Sequence, residues 1–124
     1  MELVGTYTPT IIKASSNDEC TYTTRDVFLS ANQGTIAKGT IMGRITDAGA
    51  TQNQVVAWDP DATDGSEVPV GILGQQTETT ASAGEQSFVY TRGDFLMSAL
   101  TSTDDDTTWV SDYGARLDNG VVSL

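Results

Sequence analysis

The sequence contains no histidine and one cysteine, Cys20, among 124 residues. Without a second cysteine no internal disulfide forms, and the common zinc and iron sites lack their ligands. The absence of histidine also removes the base on which His-dependent nucleophilic triads rely, and no Gly-x-Ser-x-Gly elbow is present. Cys20 has no sequence cluster of cations to lower its pKa and reads as an inert or modestly exposed thiol. Basic residues are equally scarce: six Lys and Arg stand against 17 Asp and Glu, for a net charge of −11. They occur singly, as Lys13, Arg25, Lys38, Arg44, Arg92 and Arg116, so no basic patch neutralises phosphates and nucleic acid is not an expected partner. An acid excess of this size suits solubility and a surface that faces water. No stretch reaches the roughly 18 apolar residues of a membrane span, and MELVGTYTPTIIKASS has no basic leader, so neither membrane insertion nor Sec-type export is expected.

What is present argues for one folded, mainly β domain. The hydrophobic share is 38% and the charged share 19%, and twelve glycines but only three prolines punctuate the chain, a globular rather than a disordered balance. Thr is abundant, as suits strands. From Tyr22 to Leu29 the pattern is strand-like, and Asn32-Gln33-Gly34 marks a turn. Ile41, Gly43 and Ile45 then alternate along a second strand, with Met42 and Arg44 on its other face. After a turn at Gly49 comes a short β-branched run, Gln54 to Trp58, and then a polar loop through Asp59-Pro60-Asp61 and Asp64-Gly65. Val68, Val70 and Ile72 repeat with period two. Pro69 on the opposite face implies an edge position or a strand start, because proline cannot donate to a ladder.

A turn at Ala83-Gly84 leads to a strand from Gln86 to Thr91, ended by Gly93. Asp94 is placed to cap a short helix running to about Leu100. Thr103 with Asp104, Asp105 and Asp106 predicts a second helix start, with Trp109, Val110 and Tyr113 on one face. Asp118-Asn119-Gly120 is a tight-turn signal, from which Val121 to Leu124 return as a last strand. Trp58, Val70, Ile72, Phe88, Tyr90, Phe95 and Leu100 are the core candidates; some could line an interface between subunits instead, which the sequence does not separate.

Chemical motifs are few. Gly34, Gly39 and Gly43 flank Lys38, but no Gly-Lys-Ser/Thr follows to cradle a nucleotide phosphate, and turns explain them better. Asp59, Asp61, Asp64 and Gly65 suggest a calcium loop, yet Thr63 takes its fifth position, Gly65 comes one residue late, and Val70 stands where a bidentate Glu is needed. An EF-hand is excluded; a looser calcium site competes with a solvated Asp-rich turn. An acidic chain always offers carboxylate pairs, so these say nothing about hydrolysis. The expectation is no catalytic, cofactor or metal residue: a protein that is not an enzyme and carries no cofactor.

Against that background, VVAWDPDATDGSEVPVGILG, residues 55 to 74, resembles the central segment of the lambda-type phage head decoration proteins. An apolar strand, a Trp-Asp pair, an Asp-Gly loop and a Val-Gly-Ile-Leu strand follow in the same order. FVYTRGDFLMSAL resembles the family's next unit and GTIAKGTIMGRIT its entry strand, while ARLDNGVVSL fits the final turn and strand more loosely. The likeness runs from Arg25 to Leu100. It implies a mainly β, β-clip-like subunit with one or two short helices that forms a homotrimer. Such a trimer docks at local threefold positions on the outer surface of the head, where its partner is the major capsid protein, and cements neighbouring capsomers. The protein would be made in the host cytoplasm and carried on the virion.

Residues 1–24 form the least similar part and read as an extended N-terminal arm ahead of a decoration domain, 25–124. Ordering ten residues costs on the order of 10–20 kcal/mol of backbone entropy, which so polar a segment does not recover on itself. It therefore needs a partner. Leu3, Val4, Tyr7, Ile11 and Ile12 are the expected capsid-binding anchors, adding a strand to an exposed sheet edge, with Pro9 interrupting the ladder. The alternative function is a virion surface module that binds a receptor or glycan; a small carboxylate-pair hydrolase is a third reading and would require a deep pocket.

Overall fold

The computed structural model describes residues 22–102 and 108–124. The expectations for Leu3, Val4, Tyr7, Ile11, Ile12 and Cys20, and for the helix start at Thr103 to Asp106, lie outside the described residues.

Short β-branched runs separated by Gly, Asn and Asp turns give ten strands: β1 Thr23–Leu29, β2 Thr35–Ile36, β3 Ile41–Arg44, β4 Val55–Ala57, β5 Pro69–Leu73, β6 Thr77–Glu78, β7 Glu85–Arg92, β8 Asp94–Leu96, β9 Arg116–Asp118 and β10 Val121–Ser123. A 3-10 turn covers Met97–Ala99, and the one α-helix among the described residues, α1, covers Thr108–Tyr113. The mainly β class is as expected. Its form is a closed barrel in the order β1-β4-β3-β5-β7, accompanied by a three-stranded sheet β8-β10-β9 and a β2-β6 pair.

The central barrel strands β3 and β5 are buried on both faces. Inside lie Leu29, Met42, Val55, Leu73 and Val89, with Ile36. Neighbouring residues of the same strands, Ile41, Ile72 and Tyr90, point outward and join Trp58, Phe95, Trp109, Val110 and Val122 in a second cluster. The three-stranded sheet and α1 supply its cover. This corrects the expected core in part. Trp58, Ile72, Tyr90 and Phe95 are buried as expected, but Phe88 and Leu100 are half-buried on the outer cluster and Val70 is half-buried on the inner one.

Val70 and Ile72 were expected on one face, and a β-bulge separates them. Gly43 pairs with Pro69 and Met42 with Gly71, so Val70 has no opposite number on β3, and the extra residue reverses which face follows. Val68 lies before the strand and is exposed. Pro69 is the first residue of β5, the position its missing N–H allows. Gly43 is required: a Cβ there would collide with the backbone carbonyl oxygen of Ser66.

The helix expected from Asp94 to Leu100 is absent. Asp94 to Leu96 form β8, which pairs with β10 through Leu96–Val121, Phe95–Val122 and Asp94–Ser123. Only the turn Met97–Ala99 is helical, and its N-cap, Leu96, makes no side-chain cap. A long-range strand pairing overrides the local cap signal. The Asp94 carboxylate instead accepts a hydrogen bond from the Ser123 hydroxyl at 2.7 Å. At the far end of β10 the Asp-Asn-Gly turn forms as read, with Asn119 at φ 53° and Gly120 at φ 78°. Positive φ at both central residues is what a two-residue hairpin of matching twist demands.

Candidate functional site

Three features of the described surface bear on function. The first is the root of the N-terminal segment. Tyr22 stacks edge-on against Tyr90 and Phe95, with ring centroids 6.0 and 5.5 Å away, and its hydroxyl donates to the Asp94 carbonyl at 2.9 Å. Gly93 makes room for it, since a Cβ there would meet the Tyr22 ring. The chain therefore enters β1 from a fixed point on the outer cluster.

The second feature is the Asp-rich loop between β4 and β5. Its carboxylates serve the loop's own backbone. Asp59 accepts from the Asp61 N–H at 2.9 Å, and Asp64 accepts from the Ser66 N–H at 3.0 Å and the Ser66 hydroxyl at 2.6 Å. These bonds hold the Asp64 carboxyl below its ordinary pKa, the side-chain bond from Ser66 being the largest cause. Trp58 anchors the loop from beneath by donating its indole N–H to the Glu67 carbonyl at 2.8 Å. Among the described residues no group of three or more His, Cys, Asp and Glu could hold a metal ion. Hydrogen-bonded Asx turns account for this loop without a cation.

The third feature is one that pattern reading missed. The barrel closes between β1 and β4 at a single pair, Leu29 with Val55, whereas all of β1 pairs with β7. From Thr23 to Phe28 the other edge of β1 has no partner strand among the described residues. Beside it lies an opening of about 630 Å³ whose lining includes Arg25, Val27, Phe28, Arg44, Val55 and Val70. Val27 and Val70 pack against the inner cluster and Val55 belongs to it, so the opening is the mouth of the barrel. Arg25 continues the inward face of Leu29 and Val27, and Arg44 that of Met42. The buried Arg44 Nε has no hydrogen-bond partner, and Phe28 is 45% exposed at the rim. The signal was in the sequence: each arginine stands two residues from an apolar residue on its strand, Val27 or Met42, that packs in or against the inner cluster. Face assignment alone did not reveal that the face turns inward.

The family model of the bacteriophage lambda head decoration protein D matches residues 6–116. The chain belongs to the lambda-type head decoration family. This membership makes it a structural component of the virion, carried on the surface of the phage head. The match extends across the segment before β1, the barrel and α1, so the decoration protein's assignment does not rest on one motif. No curated protein matches the chain.

Proposed function

We propose that this decoration protein trimerises on the outer surface of the head at local threefold positions and stabilises the shell by clamping neighbouring copies of the major capsid protein. The observation that carries this reading is the family match over residues 6–116. Residues 1–24 act as the capsid-binding arm, running into β1, and 25–124 as the decoration domain. Leu3, Val4, Tyr7, Ile11 and Ile12 anchor the arm, whose backbone adds a strand to an exposed edge on the shell. The fixed root at Tyr22 supports this, because an arm tethered at a rigid point loses less freedom on docking than one on a loose linker.

Three arms on one trimer raise apparent affinity by effective concentration, by roughly 100-fold to 10,000-fold over a single arm when all dock together. Weak arms then make a strong clamp. No catalytic step is assigned to the protein. The test is decoration of purified, undecorated mature capsids, with stoichiometry read by density or mass and shell stability read as the disruption temperature. Saturable binding at three copies per threefold site, with a raised disruption temperature, is the expected result. Deleting residues 1–12 is expected to leave a folded trimer that no longer holds capsids; undiminished binding by the truncated protein would refute the arm mechanism.

A further inference from the structure

We propose that the barrel mouth is a second docking site for the shell, one that takes an extended segment bearing a carboxylate. The segment pairs its backbone with the open edge of β1, rests an apolar side chain on Val27, Val55 and Val70, and places its carboxylate between Arg44 and Arg25. This inference rests on the clamp reading for the identity of the partner and adds a site on the body of the protein, distinct from the arm's anchors and beginning where the arm passes into β1.

Charge distribution argues for the carboxylate. The chain has only six basic residues against 17 acidic ones, yet Arg25 and Arg44 line one opening, with Asp26 as the only acid in its described lining. Burying arginine N–H groups at the end of an otherwise aliphatic barrel is costly. Arg44 Nε carries that cost visibly, as a buried donor with no acceptor. An arginine fork supplies two parallel donors and matches an incoming carboxylate better than a lysine would.

Backbone geometry argues for an extended ligand. The edge of Thr23 to Phe28 turned away from β7 has no partner strand among the described residues, a template for another strand. Arg25 and Val27 on that strand face the mouth, so an added strand would set alternate side chains over the same opening. Phe28 at the rim adds exposed apolar surface on the outer side.

The test uses the full-length protein, undecorated mature capsids and three variants. Arg44→Met keeps the aliphatic stem and removes the unpaired donor. Its melting temperature is expected to stay level or rise while capsid affinity falls about 10-fold or more, as when one partner of a buried charged hydrogen bond is lost. Arg44→Lys is expected to lose less. Arg25→Glu, on an exposed position, leaves the body folded and weakens binding in the same direction, and it decides the matter if Arg44→Met does not fold. Wild-type affinity in both Arg44→Met and Arg25→Glu would overturn the mouth proposal while leaving the arm and clamp standing. Loss of self-association in sedimentation with capsid affinity retained would overturn it too, by assigning the mouth to a second copy of this chain. Failure of the unmodified protein to bind capsids would remove the clamp reading itself.

Discussion

The two hydrophobic clusters lie on opposite faces of the same strands and are built differently. The outer one is aromatic and assembled from distant parts of the chain: Trp58, Tyr90, Phe95 and Trp109, with Tyr22 and Leu124 packed at its margin. The inner one is aliphatic, held within the barrel by Leu29, Met42, Val55, Leu73 and Val89. Long-range pairing closes the outer cluster under a separate sheet and helix. The inner cluster draws only Ile36 from outside the barrel strands among the described residues, and at the mouth it gives way to Arg25 and Arg44. Stability is thus concentrated on the covered face, and openness on the face that ends at the mouth.

Truncations test that contrast most sharply. Trp109→Ala should cost about 3–5 kcal/mol of unfolding free energy, because it removes a buried aromatic from the only described α-helix packed on the outer cluster. Leu29→Ala should cost about 2–5 kcal/mol and fall in the lower half of that range if the open mouth lets the barrel relax around the gap. Denaturant melts of the two variants compare the clusters directly; a larger loss at Leu29 would reverse the order of the two faces.

Gly43→Ala probes the ground between the clusters. The added methyl meets the Ser66 carbonyl, and the expected loss is about 1–3 kcal/mol with a disturbed β4–β5 loop, measured by melting and by protection of the Trp58 indole proton from exchange. Smaller still is Tyr113→Phe, which deletes a hydroxyl that donates to the Thr91 carbonyl at 2.9 Å and should cost about 1 kcal/mol. Burial raises the Tyr113 pKa above 10.0, opposed by the nearby Arg92 charge. The folded state therefore favours the neutral phenol, so this contribution is complete below the unfolded pKa and is lost as pH rises through the folded value. The phenylalanine variant should show a flatter alkaline limb.

The smallest effect lies at the Asp64 turn, where the lowered pKa works in the other direction. Stability from the Ser66 bonds is present above the unfolded carboxyl pKa of 3.8 and lost as pH falls through the lower folded value. Ser66→Ala, which removes the hydroxyl bond and keeps the backbone N–H bond, should lower stability slightly at neutral pH and shallow the acid limb, so that variant and parent converge as pH falls below that value.

Local signals in the sequence located what local physics controls. Asn119-Gly120 demanded a two-residue hairpin, Pro69 marked a strand start, and Trp109, Val110 and Tyr113 share a helix face against the outer cluster. Signals that depend on partners were misread. Asp94 looked like a helix cap because its actual partner, Ser123 on β10, lies 29 residues downstream, beyond the reach of local pattern. Met42 and Arg44 were placed on one face, correctly, but adjacent apolar pairs such as Ile41-Met42, Ile72-Leu73 and Val89-Tyr90 were the sign of strands buried on both sides. Strands β2 and β6, two residues each, carry too little pattern to be read. For the candidate site, the two arginines were visible as residues and invisible as neighbours, since a closed barrel is what brings them together.

The ladder between β1 and β7 has a consequence in time as well as in space. Among the described residues Thr23 to Phe28 find their strand partners only in Arg92 to Gln86, so most of β1, although it precedes the other described strands, waits for nearly the whole barrel to be synthesised before it can pair. Closing so long a loop is slow relative to the local hairpins. The frame that holds Tyr22 therefore exists only in subunits whose chain has folded through Phe95. A half-folded copy lacks that anchorage.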